Sequence, residues 1–303
     1  MPAKLSYINA RGDEIVLDDD ERSFLAELQG RQGFEAPEVD FSTVKYADGT
    51  EEVLRAELKP REVTCFFWAE TLDHQRFEQK FSELKMQMIQ VGKKPENWGR
   101  LRIRKRSGGY LYLNCIYSEG LDSLVRDSDV RVGFSLTFLA SDPLFYDDYE
   151  SHEELRVWED GAWLHFGTRF TFGLETHFRS SNTIHEQIIE VPCYRAYPAI
   201  TIVGPAKNIK LENETTGGLI ELDQTFELLA GETFVIETDP LKRSAVWNRY
   251  DGSQKNGSRY LSPDTHLDWT LGHGKNKIRY RNSDTNQTSV CILTYKQGWL
   301  SAY

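Results

Sequence analysis

The sequence has few cysteines, and their spacing does not predict a metal site. Its four cysteines, Cys65, Cys115, Cys193 and Cys291, lie far apart, and no two form a Cys-x-x-Cys pair. The cysteine ligands of structural zinc usually come as such close pairs. Each cysteine instead has apolar or aromatic neighbours, so we expect four reduced thiols that pack as small buried hydrophobic side chains.

Long apolar runs are missing as well. The mean hydropathy is −0.54, and no stretch approaches the roughly 20 apolar residues that a transmembrane helix needs. Residues 1–5 contain no apolar segment of the kind found in a signal peptide. We therefore expect no contact with a membrane, and synthesis and at least initial residence in a cytoplasm.

The sequence also lacks an excess of positive charge. Lysine and arginine number 36 against 47 acidic residues, for a formal net charge of −11. A protein that grips phosphate backbones needs a basic surface, so this balance argues against tight nucleic-acid binding. One basic cluster stands out, and its members are Arg100, Arg102, Arg104, Lys105 and Arg106. It alternates with Leu101 and Ile103, which predicts the solvated face of a strand; the alternative is a surface for an acidic partner.

No catalytic motif is present. The seven histidines, of which His177 and His185 are the pair that a hairpin could bring together, have neither His-x-His nor His-Glu-x-x-His spacing. The segment from Gly272 to Asn276 lacks the spacing of a phosphate-binding loop, so we predict a turn there. Residues 18–21 are acidic but lack a calcium-loop pattern, and they too predict a solvated turn; weak binding of a hard cation is the alternative.

We therefore predict no catalytic, cofactor-binding or metal-binding residue, and a protein that is not an enzyme. The chain has many carboxylates, however, and a glycosidase uses only two of them. A hydrolase with a hidden carboxylate pair is the alternative, and it would require two carboxylates in one concave site.

Most of the chain has the composition and alternation of β-strands. Aromatic residues make up 12% of it, and short β-branched or aromatic runs recur between turn residues. In the first half, predicted strands include residues 5–9, 14–17, 43–46, 52–56, 62–68, 101–104, 110–113 and 131–138. In the second half they include residues 163–172, 184–191 and 198–203. Predicted turns include residues 47–50, 107–109, 216–218, 230–232, 251–252 and 272–274.

One segment, about residues 72–90, predicts an amphipathic helix. Phe77, Phe81, Leu84 and Met88 recur at steps of four, three and four, which places them on one face. We expect this face to pack on a sheet.

The fold class predicted is mainly β, with two β-sandwich domains. We place an N-terminal sandwich with the helix at residues 1–148, because Pro143 and the acidic residues after it suggest a boundary. Residues 149–303 form the second domain, in which short strands and frequent turns favour a sandwich or jelly roll.

The order of several segments resembles a known family, the distal tail proteins of bacteriophages with long, non-contractile tails. The segments that carry the resemblance are residues 5–15, 61–67, 99–101, 108–110, 134–147, 197–206, 208–217, 230–238, 271–278 and 295–300. The most telling are the run from Ser141 to Asp147, which closes the first domain, and the run from Tyr197 to Ala206, which starts with a buried strand. The sequence departs from the family at Ile209, where proline is common, and over residues 150–194.

The resemblance implies a structural virion component. In this family the first domain assembles into a hexameric ring at the tail tip, or baseplate, and a galectin-like second domain projects outward. The ring joins the tail tube protein to tail-tip or receptor-binding proteins, and DNA passes through its lumen. The resemblance implies no cofactor, and residues that form the ring contacts are not predicted.

A second hypothesis is a carbohydrate-binding β-sandwich that recognises a glycan on the host cell surface. Aromatic faces stack on sugars, and the tryptophans that could do so are Trp158, Trp163, Trp247, Trp269 and Trp299. We expect most of them in the core, which makes this the weaker hypothesis.

Overall fold

The computed structural model describes residues 5–18, 25–27, 31–45, 51–70, 74–89, 98–105, 108–122, 125–128, 131–156, 184–283 and 289–302. The chain divides into two compact units. Unit 1 comprises residues 1–148 together with residues 298–303, and unit 2 comprises residues 149–297. The divisions fall within two long strands, one near each end of unit 2.

Within the described residues, unit 1 contains ten strands, one helix, the start of an eleventh strand and the end of the last strand of the chain. The elements are β1 (Leu5–Ile8), β2 (Glu14–Asp18), β3 (Leu25–Glu27), β4 (Val39–Lys45), β5 (Glu51–Leu58), β6 (Arg61–Glu70), α1 (His74–Met88), β7 (Gly99–Arg104), β8 (Tyr110–Glu119), β9 (Val125–Ser128), β10 (Arg131–Ala140) and β11 (Phe145–Arg156).

Two antiparallel sheets form the core of unit 1. One has the order β2-β1-β7-β8-β11, and the other has the order β3-β6-β10-β9. Alternate residues of each strand point inward, as the period of two dictates. The rings of Tyr7 in β1 and Phe138 in β10 meet with centroids 5.1 Å apart, so the sheets pack face to face as a sandwich.

Helix α1 covers part of this sandwich through its predicted apolar face. Phe81, Leu84 and Met88 are all buried, and the ring of Phe81 meets Phe134 of β10 edge to face at 5.4 Å. The side chain of Phe77 lies outside the described residues. The helix prediction is confirmed.

The buried side chain of Arg61, at the start of β6, ties together segments that are distant in sequence. Only 3% of Arg61 is exposed, and the guanidinium donates hydrogen bonds of 2.6–2.7 Å to backbone carbonyl oxygens. The acceptors are those of Gly33, Glu35, Pro143 and Leu300. The guanidinium also stacks over the ring of Phe145, 4.6 Å from its centroid. Burial lowers the pKa of Arg61 from its ordinary value to about 10, so the group remains charged at neutral pH.

In the part of unit 2 that the structure describes lie the rest of β11 and eleven further strands. They are β12 (Ile184–Ala196), β13 (Ala199–Val203), β14 (Ala206–Lys207), β15 (Lys210–Asn213), β16 (Gly218–Glu221), β17 (Glu227–Leu228), β18 (Thr233–Glu237), β19 (Ser244–Asn248), β20 (Gln254–Asn256), β21 (Leu271–Arg281) and β22 (Val290–Trp299).

The strands of unit 2 pair mainly as two antiparallel series. One is β16-β15-β21-β12 and the other is β20-β19-β18-β13-β22. Both β13 and β18 alternate strictly between buried and half-buried positions, with Ile200, Ile202, Phe234 and Ile236 fully buried. The mainly β fold class is confirmed.

The turn predicted at Gly272–Gly274 is wrong, because these residues lie within β21. Their strand is irregular: Val191 pairs with Gly274 and Arg195 with Gly272, so β12 carries two extra residues at this point. Gly274 has a φ of +83°, a conformation that glycine adopts without strain. The glycines therefore mark the irregular pairing at a β-bulge. A bulge, like a turn, favours glycine.

The four cysteines are buried free thiols, as predicted. Several predicted elements lie wholly or partly outside the described residues, namely the turns at residues 18–21, 47–50 and 107–109, the strands at 43–46 and 163–172, and the two ends of the helix at 72–90. Across the part of the chain that the structure describes, no helix has both the length and the apolar composition to cross a membrane.

Candidate functional site

The hairpin formed by β4 and β5 is a candidate assembly surface. The two strands pair with each other as a separate two-stranded sheet. Every residue described in β4 for its exposure, from Val39 to Val44, is exposed. A lone two-stranded hairpin is marginally stable in water, so this segment is of the kind that gains stability from a partner surface.

One face of the hairpin is apolar. Val39 is 41% exposed and Phe41 57% exposed, and alternation along β4 places them on the same side. The register partner of Val39 in β5 is Leu58, and residues directly opposite share a face. Asp40 and Ser42 occupy the other side of β4. We refer to the side with Val39, Phe41 and Leu58 as the apolar hairpin face.

The predicted basic strand is β7. Leu101 and Ile103 are buried, while Arg100 and Arg104 are exposed, which confirms the prediction of a solvated face. Two of the other basic residues have acidic partners within unit 1. Arg102 donates to the carboxylate of Glu14, and Lys105 donates to Asp147 at 2.7 Å. These pairs reduce the positive charge that the strand offers to an acidic partner.

The described residues contain no group of three or more histidine, cysteine, aspartate or glutamate side chains that could hold a metal ion. His177 lies outside them, so the pairing of His177 with His185 that a hairpin could allow stays untested. A cleft of about 470 Å³ in unit 1 is lined by two carboxylates, Glu119 and Asp122. The Asp122 side chain is 93% exposed and accepts a 2.6 Å bond from Lys85, whereas a glycosidase acid needs an apolar site that keeps it protonated.

Unit 2 has a cleft of about 360 Å³ with a polar lining. We call it the polar cleft, and its charged, aromatic and hydroxyl side chains are Arg195, Tyr197, Thr216, Arg243, His266, Asp268 and Thr270. These residues come from β12 and from several loops of unit 2. Sequence reasoning missed them, because no local motif links residues that far apart.

Two buried asparagines position the walls of the polar cleft. The Oδ1 atom of Asn213 accepts hydrogen bonds from the backbone N–H groups of Thr215 and Thr216, at 3.0 and 3.3 Å. Its Nδ2 atom donates to the carbonyl oxygen of Thr270 at 2.8 Å and to Oδ1 of Asn276 at 3.3 Å. The turn before β16 and the segment before β21 are thus joined by one side chain.

Asn276 continues this network into the stretch of β21 that lies opposite the bulge in β12. Its Oδ1 atom accepts from the Gly272 N–H at 2.8 Å. Its Nδ2 atom donates to the carbonyl oxygens of Gly272 at 2.8 Å and Gly274 at 3.1 Å. Asn276 is fully buried, so its side chain replaces ladder hydrogen bonds that the bulge interrupts.

Three of the five candidate tryptophans, Trp247, Trp269 and Trp299, lie among the described residues, and each packs against other side chains. Trp269 is fully buried, and it packs so close under Gly218 that a Cβ there would lie 2.7 Å from its ring. Trp247 contacts Phe226 and Tyr260 edge to face. Trp299 is half-buried against the core of unit 1. Trp158 and Trp163 lie outside the described residues.

Comparison with solved structures finds several similar chains. The crystal structure of the Dit protein of phage SPP1, described as a paradigm of the hub adsorption apparatus in phages that infect Gram-positive bacteria, has a TM-score of 0.60 and 10% identity. The match covers 96% of this chain and 98% of that one. The phage P2 baseplate in its activated conformation with calcium contains a chain with a TM-score of 0.50 and 9% identity, with 98% of each chain covered.

No protein-family model matches the sequence, and neither does any curated protein sequence. At identities of 9–10% the structural likeness is one of fold. The chain thus has the fold of a phage distal tail protein over nearly its whole length, and the sequence resemblance is confirmed at that level.

Proposed function

We propose that this chain is a structural subunit of a phage tail tip or baseplate, and that six copies close into a ring. Residues 1–148 form the ring, and residues 149–303 form the peripheral domain. The ring joins the tail tube protein to tail-tip or receptor-binding proteins, and DNA passes through it. The subunit is assembled in the bacterial cytoplasm, belongs to the virion and has no enzymatic activity.

The observation that carries this proposal is the extent of the fold likeness. The match covers 96% of this chain and 98% of the SPP1 Dit chain, so it extends over both units. That protein is described as part of a hub, and the second similar chain comes from a baseplate. Fold alone does not fix function, so the proposal also needs a surface through which copies associate.

The apolar hairpin face supplies that surface. A ring needs a heterologous contact, in which one patch of each subunit meets a different patch of the next. The hairpin is a separate sheet whose apolar side is exposed in the single chain. Covering Phe41 and Val39 with the neighbouring subunit would remove apolar area from water and stabilise a segment that is marginal by itself.

The acidic balance suits a channel for DNA. With a net charge of −11 per chain, six copies carry a large negative charge, and a negative wall repels the phosphate backbone instead of binding it. Measuring the salt dependence of DNA binding by the ring tests this part. A ring that binds duplex DNA tightly at low salt overturns the proposed sliding surface.

The ring is tested by light scattering coupled to size exclusion, followed by negative-stain imaging. Six copies of the 35.0 kDa chain give a species of about 210 kDa, and we expect it to have a central hole. A chain that stays monomeric up to millimolar concentration overturns the self-closing ring.

The hairpin contact is tested separately with Phe41→Ser. We expect this variant to elute as a monomer with unchanged unfolding, because Phe41 is 57% exposed in the single chain. The matched control is Ile188→Ser, which changes a residue that is 65% exposed in unit 2 and should leave the ring intact. A ring that forms equally well with Phe41→Ser assigns the contact to another surface.

A further inference from the structure

Several polar side chains that line the polar cleft have no polar partner within the described part of the protein. Arg243, His266, Asp268 and Thr270 line the same cleft. Within the described part of the chain, none of these four side chains has a hydrogen-bond or ion-pair partner. Arg243 and Asp268 carry opposite charges yet form no salt bridge with each other. Four unpaired polar groups around one concavity are the arrangement that a polar ligand requires.

The charge of the cleft differs from that of the whole chain. Arg195 and Arg243 supply two positive charges and Asp268 supplies one negative charge, whereas the chain as a whole is strongly acidic. Guanidinium groups bind carboxylates and phosphates through paired, charge-assisted hydrogen bonds. An anionic group on a ligand would therefore be attracted to the arginine side of the cleft.

The remaining groups favour hydroxyls on the same ligand. Asp268 would repel a bare anion, but its carboxylate accepts hydrogen bonds from neutral hydroxyls. The Thr270 hydroxyl both donates and accepts. Tyr197 offers an aromatic ring, and its hydroxyl accepts a 3.1 Å hydrogen bond from Nη1 of Arg195. An aromatic face beside hydroxyl-binding groups is the usual surface for a sugar ring.

The cleft is also held in shape before any ligand arrives. Asn213 bonds both to the turn that carries Thr216 and to the carbonyl of Thr270. Asn213 is 1% exposed, and its partner Asn276 is fully buried, so both stay fixed by packing. Preorganised walls lower the entropy that binding must overcome.

We propose that the polar cleft of unit 2 binds an anionic sugar, in which Arg243 and Arg195 hold the carboxylate or phosphate and Asp268 and Thr270 hold ring hydroxyls. The volume of about 360 Å³ suits one or two sugar rings. This site uses none of the tryptophans and does not depend on ring formation, so its test is separate from that of the hub.

The experiment is a calorimetric or NMR titration of the full chain with four probes: glucuronate, glucose 6-phosphate, glucose and inorganic phosphate. We expect at least one anionic sugar to bind at least about tenfold more tightly than glucose or inorganic phosphate. Glucose lacks the anionic group, and inorganic phosphate lacks the sugar hydroxyls. Whether glucuronate or glucose 6-phosphate binds better identifies the anionic group. Binding of neither, or equal binding of inorganic phosphate, overturns the proposal.

Two variants test the assigned residues. Arg243→Gln should weaken the anionic sugar by about tenfold or more and leave the weak binding of glucose unchanged, because it removes the contact to the anion alone. Asp268→Asn should weaken both the anionic sugar and glucose, because it alters a hydroxyl contact. The matched control is Lys242→Gln, which removes a positive charge next to Arg243 but outside the lining of the cleft. If Lys242→Gln weakened binding as much as Arg243→Gln, binding would depend on positive charge in general and not on the cleft. That result would overturn the proposed site.

Discussion

The guanidinium of Arg61 donates a 2.6 Å hydrogen bond to the backbone carbonyl oxygen of Leu300, a residue 239 positions later in the chain. Leu300 belongs to the six C-terminal residues of unit 1. The N–H of Ala302 adds a second link by donating to the carbonyl of Phe34 at 3.1 Å. One buried cation thus fixes the end of the chain to the domain in which the chain begins.

Replacing Arg61 should destabilise unit 1 strongly. In Arg61→Met the hydrogen bonds to four backbone carbonyls are lost, and unpaired buried acceptors cost free energy. We expect the free energy of unfolding in urea to fall by about 3 kcal/mol or more. Arg61→Lys should recover only part of the loss, because an ammonium cannot match the fork of a guanidinium. Arg104→Met, at an exposed position of β7, is the control and should change the free energy of unfolding by less than about 0.5 kcal/mol.

Replacing Asn276 should destabilise unit 2 and loosen the polar cleft. Asn276→Ala leaves the Gly272 N–H and the carbonyls of Gly272 and Gly274 without their side-chain partner. We expect a loss of about 2–3 kcal/mol in thermal or urea unfolding. The neighbouring exposed residue gives the control, Lys275→Ala, which should unfold like the wild type. Equal stability of Asn276→Ala would mean that water replaces the amide.

The ion pairs of Glu186 should make stability depend on pH. The Arg279 guanidinium donates to Glu186 at 2.6 and 2.8 Å, and this hydrogen bonding, with the charge of Lys277, lowers the pKa of Glu186 below its ordinary 4.5. A carboxyl whose pKa is lowered in the folded state stabilises it above the unfolded pKa, and the effect disappears as pH falls through the folded value. Glu186→Gln should therefore have a lower urea midpoint than wild type at pH 7, and the gap should close as the pH is lowered past 4.5.

A second carboxyl, Glu237, should affect stability in the opposite direction. Burial raises its pKa above 4.5, against a smaller effect of Lys242. Its ionised form therefore opposes folding at neutral pH, so Glu237→Gln should raise the urea midpoint at pH 7 and have no effect below pH 4.5. Midpoint shifts of the same sign in both variants would contradict this assignment.

The cysteines should be inert in the folded protein. All four are buried, and burial raises the pKa of Cys115 to about 12 and that of Cys291 further. The thiolate is the reactive form, so a thiol reagent such as Ellman's should label none of them at about pH 8 without denaturant. All four should react in urea, which serves as the internal control. Rapid labelling of one thiol in the native protein would reveal an opening of its sandwich.

Local patterns were enough to predict much of the secondary structure. The spacing of Phe81, Leu84 and Met88 predicted the helix because side chains three and four apart share a helix face. The alternation of Leu101 and Ile103 with arginines predicted the solvated strand for the corresponding reason in a sheet. The glycines at 272 and 274 led to the wrong prediction of a turn, because the positive φ that glycine permits occurs at a bulge as well as in a turn.

What the sequence by itself determined was the mainly β class, the amphipathic helix, the buried thiols and the lack of a recognisable catalytic motif. Only the tertiary structure decided that Arg61 holds Leu300, that the hairpin presents Phe41 on an exposed apolar face, and that Arg195, Arg243 and Asp268 line one cleft. The physical reason is that a local pattern extends over only a few neighbouring residues. Periodicity records which way neighbouring side chains point, whereas a site assembled from separate strands and loops depends on pairing and packing between segments that no local pattern connects.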